Sequence, residues 1–309
     1  MSPVSSRDHA CNRPDEGRTV TRDHVGRGIA LGALGYTLFA MHDAATKWLV
    51  ETIPVWQILF FRSVLIVLGC TLIGRGRLWR RVLTSPNRGA LTLRAALVLI
   101  AWLAYYTAAR TLPLAQLLTL YFGAPVVTTL LAMPLLGERV SGSRWVSVLL
   151  GFTGVLIAAE PSRIHASRAT VLVLAAAVTW AYTVILMRQI AKRESSLVQV
   201  LAQNLFYLVV TGGLSLATWV PPRGAQWWLL LLVGVLGGAG QFFLIEGAQV
   251  APAAIMATVE YTSLVWAFVL GYLVFGNVPR RPVWIGAALI LLSGFFMLWR
   301  ERRRVFRED

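Results

Sequence analysis

The sequence predicts an all-α integral membrane protein, with ten transmembrane helices arranged as two inverted five-helix repeats. Three observations predict it. The 309 residues are 57% hydrophobic and only 14% charged, with a mean hydropathy of +0.64, whereas a soluble domain carries about 25% charged residues. Uncharged apolar runs recur at close to the ~20 residues a helix needs to cross hydrocarbon. The chain also echoes itself. Pro113, Ala115, Thr119, Val126, Leu131, Gly137 and Trp145 recur at one constant offset as Pro252, Ala254, Thr258, Val265, Leu270, Gly276 and Trp284. Such an echo in an apolar chain is the trace of an internal repeat, and repeats of this kind often frame a solute site near the bilayer midplane. The weak alternation and the length of the runs argue against a membrane β-barrel.

Taken in order, residues 1–26 are polar and rich in Arg and Asp, and read as a disordered cytoplasmic tail. No short apolar centre with a small-residue cleavage site marks them as a removable leader. The spans follow at 28–50, 55–74, 93–110, 113–136, 144–160, 169–190, 197–220, 226–248, 252–275 and 282–299. They group into a first repeat at 27–161 and a second at 168–300, with a basic tail at 301–309. Short connections predict antiparallel neighbours, and 75–92 is the longest interior loop. Five spans per half is an odd number, so the second half enters the bilayer the other way up.

The net charge of +15 has two readings. A basic protein can bind nucleic acid, but here the charges flank apolar runs and form no continuous surface with stacking aromatics. The positive-inside rule accounts for them. With both termini cytoplasmic, that side receives Arg75, Arg77, Arg80, Arg81 and Arg88, then Arg139, Arg144, Arg188, Lys192 and Arg193, and both basic ends. The outer side receives Arg163, Arg168, Arg223, Arg280 and Arg281. Most tryptophans, from Trp48 to Trp299, sit near span ends as headgroup anchors. Trp102, Trp180 and Trp266 lie deeper and need another reason.

No metal, cofactor or nucleotide site is expected. Cys11 and Cys70 lie in a polar tail and an apolar run, so they neither pair nor offer ligand spacing. The four histidines form no HExxH, and there is no GxSxG and no Walker loop. The run GVLGGAGQ around Gly238 partly imitates a nucleotide loop, but its apolar setting favours close helix packing.

Polar groups at membrane depth cost several kcal/mol and mark either function or an internal bond. Span 1 holds His42, Asp43 and Lys47, and Asp43 and Lys47 are spaced to pair on one face. Arg62 in QILFFRS needs an acceptor, either Asp43, Glu260 or a bound carboxylate. In WLAYYTAAR, Trp102 and Tyr106 share a face and suit either a pocket wall or packing, as does Tyr121 in span 4. Gln203, Asn204 and Gln241 either contact a ligand or bridge helices. Glu260 and Tyr261 lie well inside span 9. A carboxylate at that depth needs a partner or a proton, so Glu260 is a candidate for binding a cationic group or coupling a proton. Glu138 beside Arg139 reads as a loop charge.

LPLAQLLTLYFGAPVVTTLLAMPLLGERVSGSRWVSVLLGFTGVLIAAEP resembles the first repeat of EamA-type transporters of the drug/metabolite transporter superfamily, and VAPAAIMATVEYTSLVWAFVLGYLVFGNVPRRPVWIGAALILLSG resembles the second. QILFFRS and Asp43 are similar too, and the likeness spans about residues 28–300. Asn277 departs from the acid usual at that position, and the N-terminal tail is longer than usual. The resemblance implies ten helices around a central cavity, no enzymatic activity and secondary transport of a small metabolite across a bacterial inner membrane, by a monomer or homodimer. The binding or coupling residues it points to are His42, Asp43, Arg62, Trp102, Tyr106, Tyr121, Asn204, Gln241, Glu260 and Tyr261. With Asp43, Arg62 and Glu260 in one cavity, the expected solute is zwitterionic and partly apolar, an exported amino-acid derivative such as a metallophore. The alternatives are an uptake carrier, as for riboflavin or S-adenosylmethionine, and a membrane enzyme on a lipid-linked substrate, for which only His42-Asp43 offers a catalytic pair.

Overall fold

The computed structural model describes residues 22–136, 142–159, 167–191, 193–250 and 253–305. Among them run α1 (Arg22–Leu49), α2 (Val55–Thr84), α3 (Arg88–Ala109), α4 (Leu114–Tyr121), α5 (Gly123–Leu136), α6 (Gly142–Ala159), α7 (Arg168–Ala191), α8 (Ser196–Ala217), α9 (Gln226–Val250), α10 (Ala253–Phe275) and α11 (Arg281–Val305). The predicted fourth span is the pair α4 and α5, divided at Phe122. Pro125 has no N–H for the carbonyl four residues back, so it fits only the first turn of a helix, and α5 restarts just before it. The other nine spans are single helices. Five described helices, α2, α3, α7, α8 and α9, are long and apolar enough to cross a bilayer by length and composition, and shorter apolar stretches lie in α6, α10 and α11.

The packing has the symmetry of a repeat. In the first half α1 lies on α9 and α10, and in the second α7 lies correspondingly on α3 and on α4 with α5. The contact of α2 with α9 is matched by that of α8 with α3. The pairs α2 with α8, and α6 with α11, map onto themselves. Exchanging the two five-span halves therefore leaves the contact pattern unchanged. The main contacts run between halves rather than between sequence neighbours, so the short connections set proximity at span ends and little more.

Two boundaries differ from the sequence reading. The supposed loop at 75–92 is mostly helix: α2 breaks at Arg75, where φ is 50°, and resumes to Thr84. Leu78 and Val82, one turn apart, are buried in a cluster with Ile190, Val198 and Leu201, and this burial holds an arginine-rich segment in helical form. At the other end α1 starts at Arg22, inside the segment read as tail. The Glu138-Arg139 turn lies outside the described residues.

The glycines of GVLGGAGQ are packing residues. A Cβ on Gly35 would stand 3.0 Å from the Leu244 nitrogen and 3.1 Å from the Gly240 carbonyl oxygen, so α1 and α9 meet backbone to backbone. This crossing sets the depth of the α1 face that carries the site.

Candidate functional site

The cavity at the centre of the bundle is built from four short helical patterns. Tyr36, Phe39, Ala40 and Asp43 on α1, and Trp102, Tyr105 and Tyr106 on α3, recur three and four apart and so share one face each. Tyr121 on α4 with Phe122, and Glu260 with Ser263 on α10, close the ring, and Trp180 of α7 completes it. Glu260 stands at the offset that carries Pro113 onto Pro252, so it is the second-repeat counterpart of Tyr121. The space is about 80 Å³, enough for a few ordered waters. It is smaller than a metabolite site needs, so a solute fits only when the helices part.

One carboxylate is held by a triangle of bonds. Tyr106 donates its hydroxyl to Asp43 Oδ1 at 3.0 Å, and His42 Nδ1 lies 3.2 Å from the same oxygen and 3.3 Å from the Tyr106 hydroxyl. His42 is 1% exposed while Asp43 keeps 17%, so the carboxylate faces the space and the imidazole backs it. The second carboxylate, Glu260, lines the same space together with Tyr36. The aromatic wall is continuous: Tyr105 and Tyr121 ring centroids are 5.2 Å apart, Tyr105 and Tyr106 5.3 Å, and Tyr121 and Trp180 6.4 Å. The buried Tyr105 hydroxyl has no bond partner.

Arg62 is not in this cavity. It is fully buried behind Trp102, its guanidinium carbon 4.2 Å from the ring centroid. It donates to Asn204 Oδ1 at 3.4 Å, to the Gly237 carbonyl at 3.3 Å and to Gln241 Oε1 at 3.3 Å. Asn204 in turn donates to the Val200 carbonyl at 2.8 Å and to Gln241 at 3.3 Å. Arg62, Asn204 and Gln241 therefore form an internal network that supports the Trp102 wall, and the expected sharing of one chamber by Arg62, Asp43 and Glu260 is corrected: only the two acids share it. A second buried arginine, Arg94, donates to Gln203 at 3.0 Å, and Gln203 donates to Tyr207 at 3.0 Å.

The expected Asp43–Lys47 pair does not form either. Lys47 Nζ donates to the Ala109 carbonyl at 2.6 Å and the Leu112 carbonyl at 2.8 Å. It caps the end of α3, where unpaired carbonyls and the helix dipole favour a cation.

Of the predicted residues, Asp43, Trp102, Tyr106, Tyr121 and Glu260 line the cavity. His42, Arg62, Asn204 and Gln241 stand behind it, and the Tyr261 side chain lies outside the described residues. Tyr36 and Phe39 were missed, although both lie one or two turns before Asp43 on the same α1 face. The deep tryptophans now have reasons: Trp102 and Trp180 wall the cavity, and Trp266 donates from Nε1 to Thr37 Oγ1 at 3.1 Å.

Two acids inside an aromatic chamber, enclosed by two matching sets of five spans, define a multi-pass membrane transporter of a small molecule. The chain belongs to the EamA-like transporter family, which matches residues 26–159 and 167–299, and so to the drug/metabolite transporter superfamily. It is 30% identical to a riboflavin transporter of Vibrio cholerae over 74% of this chain and 78% of that one. It is 29% identical to a riboflavin transporter of Rhizobium johnstonii over 89% and 93%. It is 22% identical to an S-adenosylmethionine uptake transporter of Rickettsia prowazekii over 89% and 94%. A solved crystal structure with 17% identity superposes at a TM-score of 0.68, covering 91% of this chain and 98% of the other, and so shares the fold.

Proposed function

We propose that the chain is an uptake carrier for a planar heteroaromatic solute rich in hydrogen-bond donors, with riboflavin as the first candidate. The observation that carries this reading is the composition of the cavity wall. Aromatic side chains surround two carboxylates, and none of the described lining residues is basic. Rings offer stacking faces to a flat heterocycle, and carboxylates accept hydrogen bonds from hydroxyl groups. A zwitterion's carboxylate would find no cation here, because Arg62 lies behind Trp102. The reading of an exported amino-acid derivative loses its anchor with that placement. S-adenosylmethionine, with an adenine ring and a positive sulfonium, is the second candidate: its cation suits Asp43 and Glu260, while its carboxylate does not.

Transport proceeds by alternating access, one five-helix unit rocking on the other about the fixed site. The bias of Arg and Lys supports an orientation with both termini on the cytoplasmic side. The two polypeptide halves contribute one carboxylate each, Asp43 from α1 and Glu260 from α10, so the solute is held between the repeats.

The test is uptake of labelled riboflavin into vesicles holding the purified full chain. Saturable uptake, competed by unlabelled flavin and not by neutral amino acids, is expected. Uptake of S-adenosylmethionine but not riboflavin moves the assignment to the second candidate. Export of labelled amino-acid derivatives, with neither of the others carried, overturns the proposal.

A further inference from the structure

Past its break at Arg75, α2 continues as a short helix with two faces. Leu78 and Val82 are buried against α7 and α8 of the second half. The opposite face and its flanks expose Arg75, Arg77, Arg80, Arg81 and Arg88, with Arg193 close by on the α7–α8 connection. Exposed apolar side chains bracket the arginines: Leu72 is 80% exposed, Ile73 72% and Leu83 62%. Two open depressions flank the segment. One, about 820 Å³, is lined by Arg81, Ser85, Asn87, Arg193 and Glu194. The other, about 610 Å³, lies at the break between Ile73 and Arg77. The acid in the first depression is already engaged, because Glu194 accepts bonds from Ser85 Oγ and Asn87 Nδ2.

We propose that this segment is a binding site for the phosphate headgroup of an anionic phospholipid. Arginine forks match phosphate oxygens, and each basic residue near an anionic membrane surface strengthens attachment by about fivefold. A helix with arginines on its outer face and Leu and Ile beside them lies in the interface plane, headgroups over the charges and acyl chains along the apolar residues. The corresponding connection of the second half, between α8 and α9, contains one arginine, Arg223, and no helix. The basic helix is thus an addition to the repeat, and the fold does not require it. Arg81 belongs to the first half and Arg193 to the second, so one headgroup in the larger depression bridges the two units that must move against each other.

The test measures lipid retained by the purified full chain in neutral detergent doped with phosphatidylglycerol or phosphatidylcholine, read by native mass spectrometry. Phosphatidylglycerol is retained and phosphatidylcholine is not. The variant Arg77→Gln/Arg80→Gln/Arg81→Gln loses retention by about a hundredfold, while Arg110→Gln/Arg168→Gln/Arg223→Gln, at the opposite end of the bundle, keeps it. Arg193→Gln alone weakens it about fivefold. Inorganic phosphate in excess leaves the lipid in place. Equal retention of both lipids, unchanged retention in the triple variant at positions 77, 80 and 81, or displacement by inorganic phosphate would each overturn the proposal. The first two results would leave these arginines as orienting charges only.

Discussion

The Arg62 guanidinium carbon lies 4.2 Å from the ring centroid of Trp102, a residue that lines the cavity while Arg62 does not. The pair joins the buried network of α2, α8 and α9 to the chamber wall on α3. A buried cation on an aromatic face contributes roughly 2 kcal/mol, and the planar fork also reaches Asn204, Gly237 and Gln241. Arg62→Lys keeps the charge but cannot stack or fork in the same way. The expected outcome is folded protein in which the KM for solute rises about tenfold while the maximal rate changes little, measured in vesicle uptake. Arg62→Ala removes the charged donor from Asn204, Gly237 and Gln241 and leaves a buried void beside Trp102, and the yield of folded protein in detergent falls.

The two carboxylates make separable contributions. Asp43→Asn keeps a hydrogen-bond acceptor within reach of Tyr106 but removes the charge. Charged hydrogen bonds are worth about 1.5–3 kcal/mol against about 1 for neutral ones, so uptake efficiency is expected to fall roughly tenfold or more with folding intact. Glu260→Gln removes the titratable carboxylate of α10. Uptake by the parent is expected to vary with pH, and uptake by Glu260→Gln is expected to be flat across the same range. An unchanged rate and an unchanged pH profile in Glu260→Gln would remove Glu260 from the mechanism.

A glycine carries the third expectation. A Cβ on Gly237 would collide with Arg62 Nε and stand 2.8 Å from His42 Cδ2, so Gly237→Ala displaces both groups that back the site. Overpacking of this kind costs about 1–3 kcal/mol, and thermal unfolding in detergent is expected to shift down with loss of uptake. Gly213, also in a helix, has nothing within 4 Å of a built Cβ. Gly213→Ala removes backbone freedom at no steric cost and is expected to raise the unfolding temperature slightly.

The span plan was legible in the sequence because the bilayer imposes a length that soluble packing does not, and because Pro113 to Trp145 reappear as Pro252 to Trp284. The cavity acids were legible for a related reason: Asp43 and Glu260 at membrane depth are costly enough to stand out. What stayed hidden was which way a buried polar group points. Arg62 has the same sequence appearance whether it faces the chamber or sits behind Trp102, and the choice depends on α9 presenting Gly237 where a larger residue would block it. Lys47 likewise followed Asp43 by one turn, but the open carbonyls of Ala109 and Leu112, far away in sequence, were the better partners. The helix after Arg75 was masked by its own arginines, since Leu78 and Val82, with Trp79 partly buried beside them, are all that marks its inner face.

The ends of the bundle carry matching ties between the halves. At one end Gln57 donates to the Val220 carbonyl at 2.6 Å and accepts from the Val220 N–H at 3.0 Å, Trp56 donates to Thr218 at 2.7 Å, and Gln226 donates to Thr52 at 3.0 Å. At the other end Glu194 accepts from Ser85 and Asn87. The first set joins the start of α2 and the turn before it to the segment after α8 and the start of α9, and the second joins the segment after α2 to the segment before α8, so the two are related by the same exchange of halves. Alternating access requires one end to part while the other holds. Gln57→Ala removes a two-bond tie of about 1 kcal/mol per bond, and Glu194→Ala removes its counterpart. The populations of the two open forms then shift in opposite directions. With Cys11 and Cys70 replaced and a single cysteine placed at Ser263 in the cavity, an impermeant thiol reagent is expected to label Gln57→Ala faster from the end that carries Val220. Glu194→Ala is expected to label faster from the opposite end. Equal labelling of both variants from both sides would show that these bonds hold the bundle together without gating it.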